Sequence, residues 1–155
     1  LKAKTRAGSP VRFPAILLVT VVWLAGCGSF TPDEELIRGH IQDMVEALED
    51  QNARRFMGPV AEDFTAATLN LDQRGARLLL RREMMARERI RARTSSPEIR
   101  IRGEDRATAT FRILLAGGTG LIPDEGRWYR VETGWRRDGS DWEMISAEWE
   151  AVVGE

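Results

Sequence analysis

Glu98-Ile99-Arg100-Ile101-Arg102-Gly103-Glu104-Asp105 is the stretch that decides the fold. Its isoleucines and arginines alternate with a period of two, as in a strand with one buried face, and Gly103-Glu104-Asp105 supplies a turn. Beyond the turn, Ala107, Ala109, Phe111, Ile113 and Leu115 alternate with Arg106, Thr108, Thr110 and Arg112, so the two runs read as a hairpin. A long loop from Gly117 to Gly126 follows. Tyr129, Val131, Thr133 and Trp135 then share one strand face, and Asp138-Gly139 offers the positive φ of a tight hairpin turn. A last strand is expected from Trp142 to about Val153, with Ile145, Ala147, Trp149 and Ala151 on one face and Trp142 and Met144 on the other. Apolar residues on both faces imply cover on both sides, and Trp142 and Met144 point to a homodimer through the outer sheet face.

Upstream of these strands the period is helical. Thr31-Pro32-Asp33-Glu34 has Thr at the N-cap, Pro at the first helical position and Glu34 completing a capping box. Leu36, Ile37, His40, Ile41, Met44, Val45 and Leu48 then form one apolar stripe to about Gln51. A second, short helix is expected after Asn52, with Phe56, Met57, Val60 and Phe64 on its inner side. A third is expected from Leu69 to Arg93, ended by Ser95-Ser96-Pro97. On this third helix a 100° projection places Arg82 and Arg89 inside the apolar arc, toward the sheet, and there they are candidates to hold an anion. The expected class is therefore α+β: three N-terminal helices packed on an antiparallel sheet of about four to six strands.

The 155 residues are 43% apolar and 30% charged, which fits one globular domain and excludes collagen-like, disulfide-scaffold and disordered classes. Lys2, Lys4, Arg6 and Arg12 precede the apolar run Ala15 to Leu24 with no acid among them, leaving 19 of the 23 Lys and Arg to face all 24 Asp and Glu. That basic, apolar, small-residue order is the grammar of a signal peptide, and the run is short of the ~20 residues a spanning helix needs. Leu24-Ala25-Gly26-Cys27 resembles the lipobox of bacterial lipoproteins. The resemblance implies cleavage after Gly26 and acylation of Cys27, giving a signal peptide over 1–26, a lipidated tether over 27–32 and a folded domain over 33–153. It further implies a place in the bacterial cell envelope, membrane-bound through lipid on Cys27. With Gly28 rather than Asp after the Cys, that place is the outer membrane facing the periplasm in a two-membrane organism.

Helices first and a four-stranded meander afterwards, closing on Asp141-Trp142-Glu143-Met144-Ile145, resemble the nuclear transport factor 2-like superfamily with its cystatin-like cone. The carrying residues are the amphipathic first helix, Asp63-Phe64, and the Gly139 to Ile145 hairpin leading to Trp149. The resemblance implies a curved sheet around a long helix, a cavity at the wide end, and frequent dimers. Its members include steroid isomerases, SnoaL-like cyclases, dehydratases and proteins with no chemistry, so fold leaves function open.

Few residues carry recognisable chemistry. Gly117-Gly118-Thr119-Gly120 lacks the Lys and helix start of a phosphate loop, and a single His and a single Cys cannot build a multi-His or zinc site, so no metal or cofactor is expected. His40 lies on the apolar stripe near the expected cavity, where Asp43 or Glu132 would orient it as a base; a core histidine is the plainer reading. Trp128, Tyr129 and Trp135 are candidates to line an apolar ligand site. An acidic mature chain sent out of the cytoplasm argues against nucleic acid as a partner. Two functions follow: a non-catalytic binding or interaction module for a small apolar or anionic ligand, or a small-molecule lyase or isomerase. They differ at the cavity floor, where an enzyme needs a carboxylate or His40.

Overall fold

A computed structural model describes residues 31–118 and 126–152; the expected signal segment, Cys27 and most of the loop after Gly117 lie outside the described residues. The first helix, α1 (Pro32–Glu49), starts at the expected capping box, with the Thr31 hydroxyl accepting from the Glu34 N–H and the Glu34 carboxylate from the Thr31 N–H, both at 3.3 Å. Its buried stripe is Ile37, Ile41, Met44 and Ala47. The next helix, α2 (Ala53–Phe56), is a single turn capped by Asn52.

Two helical expectations are corrected. Val60 and Phe64 belong to a strand, β1 (Val60–Ala66), and not to the second helix. The spacing of Phe56, Met57, Val60 and Phe64 suits a helix, but Pro59 has no N–H to continue one and drives Gly58 toward extended backbone. The third helix is shorter than expected. A turn of 3-10 helix (Ala67–Leu69) and a two-residue strand, β2 (Leu71–Asp72), precede α3 (Gln73–Met85), and Arg89–Thr94 forms a strand, β3. Gln51, at a left-handed φ of 53°, donates its side-chain amide to the carbonyls of Met84 and Arg87 and so caps the end of α3. Past that cap, Arg89-Ile90-Arg91-Ala92-Arg93-Thr94 has the same period of two as the strand after it, and the register on its neighbour sets Ile90, Ala92 and Thr94 on the inner face.

The expected strands follow as β4 (Glu98–Arg102), β5 (Arg106–Gly118), β6 (Arg127–Asp138) and β7 (Asp141–Ala151), the last ending two residues before Val153. With the three upstream strands they make one seven-stranded sheet in the order β2-β1-β7-β6-β5-β3, with β4 also paired to β5. Pairing is antiparallel except for β1, which runs parallel to β7. β3 and β4 occupy successive halves of one edge of β5, and Ser95 spans the gap by exchanging two hydrogen bonds of 2.9 Å with the Arg112 backbone. α1 lies against β3, β4 and β7, and α3 against β1 and β2, giving the expected α+β architecture of helices on an open, curved sheet.

One irregularity reverses the expected faces of β7. Gly134 pairs with Ser146 and Trp135 with Met144, so Ile145 is an extra residue, a bulge. Residues before it change sides. Trp142 and Met144 therefore point into the core at 1% and 4% exposure, and neither is available to an outer-face dimer. The tip of the β6–β7 hairpin is held to the start of α1 by Asp33, which accepts from Arg137 at 2.6 Å and from the Trp142 indole at 3.2 Å, while the Arg137 guanidinium stacks over the Trp142 ring. The Arg137 hydrogen bond, then that of Trp142, holds the Asp33 carboxyl below the ordinary aspartate range. A depressed folded-state value stabilises the protein above the unfolded value of about 3.9 and is lost as pH falls through the folded one. Asp33→Asn is accordingly expected to lower the urea midpoint at pH 7 and to have progressively less effect below pH ~4, measured by denaturation at both pH values.

Candidate functional site

The concave face of the sheet and the two longer helices enclose a cavity of about 730 Å³, within the range of small-molecule sites. From α1 come Ile41, Met44, Val45 and Leu48; from β5 Phe111, Ile113 and Leu115; from β6 Tyr129, Val131, Thr133 and Trp135; and from β7 Met144, Ala147 and Trp149. α3 and the turn after it present Ala76, Leu79, Leu80, Glu83, Met84 and Arg87, an i, i+3, i+4 series running down one side of a helix.

Exposure grades the cavity from floor to mouth. Trp135 and Met144 are buried at the floor, whereas Glu83 and Arg87 side chains are 39% and 42% exposed and Arg127 is exposed. The floor's polar atoms are engaged with each other: the Trp135 indole donates to Thr133 Oγ1 at 2.8 Å, and that hydroxyl donates to the Ala109 carbonyl at 3.2 Å. No carboxylate and no imidazole reaches the floor from the described residues. At the mouth Glu83 accepts from Arg87, four residues on, and from Arg82 at 3.3 Å. The Arg87 hydrogen bond holds the Glu83 carboxyl below the usual glutamate range, so it is ionised at neutral pH and poorly suited to take a proton.

The residues singled out in the sequence separate into two groups. Tyr129 and Trp135 line the cavity. Trp128 is one residue out of phase and pairs with Leu114 on the opposite face. His40 is not among the lining residues: its Nε2 lies 2.7 Å from Asp141 Oδ1, and its ring stacks on Trp135 at 5.9 Å between centroids. Its partner is thus Asp141, neither Asp43 nor Glu132, and the His40 hydrogen bond is what lowers the Asp141 carboxyl. Arg82 is 78% exposed and also lies outside the lining, as does exposed Arg89, which sits on β3 beyond the end of α3, where a helical projection no longer applies. An anion site built on Arg82 and Arg89 is therefore withdrawn.

The sequence reading missed Glu83, Arg87 and Arg127. The signal for the first two was present, since Ala76, Leu79, Leu80 and Met84 already mark the inward stripe that Glu83 and Arg87 complete. Leu78 and Met85, which also count as apolar positions in a 100° projection, turn the arc away from that stripe, and they are 58% and 87% exposed. Among the described residues no cluster of His, Cys, Asp and Glu is able to hold a metal ion.

No family model and no curated protein matches the chain. Solved structures do resemble it. An NTF2-like protein of unknown function from Pseudomonas putida KT2440 superposes with a TM-score of 0.68 at 23% identity over 82% of this chain and 92% of that one. An NTF2-like protein with a cystatin-like fold from Novosphingobium aromaticivorans gives 0.65 at 17% identity, covering 79% and 84%. Bd1075 of Bdellovibrio bacteriovorus gives 0.66 at 13% identity over 77% of this chain, which spans only 40% of that protein. The chain thus has the cystatin-like cone of NTF2-like proteins, and at such identities the likeness carries the fold alone.

Proposed function

We propose that this chain binds an apolar or amphiphilic small molecule in its cone cavity, as a non-catalytic module held at the bacterial envelope by lipid on Cys27. The observation that carries the binding half is a 730 Å³ apolar cavity whose floor polar groups are satisfied internally and whose charges are confined to its mouth. Such a floor rewards the transfer of alkyl or ring surface out of water, at about 25 cal/mol per Å², and offers no group to move a proton. Among the described residues no carboxylate or imidazole stands at the floor to serve the lyase or isomerase reading as a base. What supports the anchoring half is the Leu24-Ala25-Gly26-Cys27 motif at the end of an apolar run. Two or three acyl chains on one residue make attachment effectively permanent.

Native mass spectrometry of the protein extracted from the envelope of its own organism tests both halves. The expected result is an acylated N-terminal Cys27 together with a retained apolar molecule; a chain without the acyl mass would remove the anchoring half. For binding, Ala76→Phe projects a ring into the cavity from α3 and is expected to weaken calorimetric binding of 1-decanol at least tenfold with the circular dichroism spectrum unchanged. Undiminished binding in a folded Ala76→Phe protein would place the ligand elsewhere and overturn the reading.

A further inference from the structure

The mouth of the cavity is not electrically neutral. Among the described residues Arg87, Arg127 and Glu83 are its ionised members, and Glu83 is committed to Arg87, whose guanidinium also donates to the Glu83 backbone carbonyl at 3.2 Å. The Arg127 side chain makes no ion pair or hydrogen bond with a described residue. Backbone pairing fixes where it sits: Arg127 is opposite Leu115 on β5, and Leu115 is itself a lining residue. Two positions further along the same face, Gly117 lets the stem of Arg87 lie against the sheet, since a Cβ there would fall 2.4 Å from Arg87 Cδ. The two guanidinium groups are thus carried at the same end of β5, over an apolar interior, with one carboxylate between them in charge.

A guanidinium with no partner among the described residues, at the rim of an apolar cavity, discriminates by sign. A neutral amphiphile takes the apolar interior alone, a cationic one is opposed by the net positive charge of the described rim residues, and an anionic head adds charge-assisted hydrogen bonds to the forked donors of Arg127. We propose that the ligand is a single-chain amphiphile with an anionic head, its tail in the cavity and its head at Arg127. This rests on the binding reading above and specifies the ligand class within it. Glu83 serves to hold Arg87 in place, so the fork free to meet the ligand is that of Arg127.

The test is calorimetry on the full chain with four decyl compounds, decanoate, decyl phosphate, 1-decanol and decyltrimethylammonium, at low and moderate salt, with Ala76→Phe as the cavity-blocked control. A charge-assisted hydrogen bond contributes about 1.5–3 kcal/mol, so the favoured anion is expected to bind about ten- to a hundredfold more tightly than decanol. The cation is expected to bind most weakly, and the advantage of the anion to shrink with salt. Whether decanoate or decyl phosphate leads names the head group. Arg127→Gln, an exposed substitution, is expected to bring both anions to the affinity that decanol shows for the same variant. Equal binding of anion and alcohol, or an anion preference that survives Arg127→Gln, would overturn this inference while leaving the binding reading intact. No cavity-dependent binding of any of the four compounds would overturn both.

Discussion

Replacing Trp135 with alanine is expected to lower the unfolding free energy by about 3–5 kcal/mol, the cost of truncating a large core aromatic. The ring is wholly buried, stacks on His40 and forms part of the cavity floor, and its indole N–H occupies the Thr133 hydroxyl. Truncation removes the packing and also leaves Thr133 one donor short in a dry environment. Trp135→Phe keeps most of the ring area and loses the hydrogen bond, so its expected cost is smaller, near 1–2 kcal/mol. Urea titration followed by far-ultraviolet circular dichroism measures both. A Trp135→Ala protein with a wild-type midpoint would show that the ring is not in the core.

Trp142→Ala is expected to cost a similar ~3–5 kcal/mol, and it separates two ways of threading the last strand. Strict alternation puts Trp142 on the outer face, where truncation of an exposed residue changes stability by within about 0.5 kcal/mol in a monomer. The bulge at Ile145 puts it inside, with its indole on Asp33 and its ring beneath Arg137. Sedimentation of the same variant at micromolar concentration completes the comparison. A small stability change accompanied by loss of a dimer would restore the outer-face position and contradict the bulge.

What the sequence makes legible here is what neighbours in the chain decide. The capping box at Thr31 to Glu34 is a four-residue event, and it forms as read. The strands from Glu98 onward also form, because isoleucine, alanine and aromatic residues alternate with arginine and threonine over many positions. Where two periods compete, local reading fails. Phe56 to Phe64 satisfies a helical spacing, and only Pro59 tells against it. Arg89 to Thr94 is rich in good helix formers, yet its alternation and its pairing with β5 win over propensity. The bulge at Ile145 leaves no mark in the pattern of apolar residues, since both of its flanks alternate correctly on their own.

The same division holds at the site. Tyr129 and Trp135 were readable as cavity residues because they share one strand face, and Trp128 falls on the other by that same rule. Arg127, two positions before Tyr129, falls on the inner face by that rule too, but its place opposite Leu115 is a tertiary fact that the strand pattern alone does not give. His40 was visible as the single histidine on the α1 stripe, but its role is set by Asp141, a hundred and one residues away in the chain. A lone titratable residue on an apolar face is more often satisfied than catalytic, and here it braces α1 against the β6–β7 hairpin.

The central claim is that small apolar molecules enter the cone cavity, and the methionines provide a direct readout. Of the five, Met44, Met57, Met84 and Met144 line the cavity, while Met85 is 87% exposed and points away from it. Residues 1–30, including the apolar run, contain none. Methyl NMR of the full chain labelled at methionine reports on the cavity with its own internal control. On titration with 1-decanol, the signals of Met44, Met57, Met84 and Met144 are predicted to move together along one saturable curve while Met85 stays fixed. If all five stay in place while decanol binds, or if Met85 alone moves, the ligand is outside the cavity and the account is contradicted.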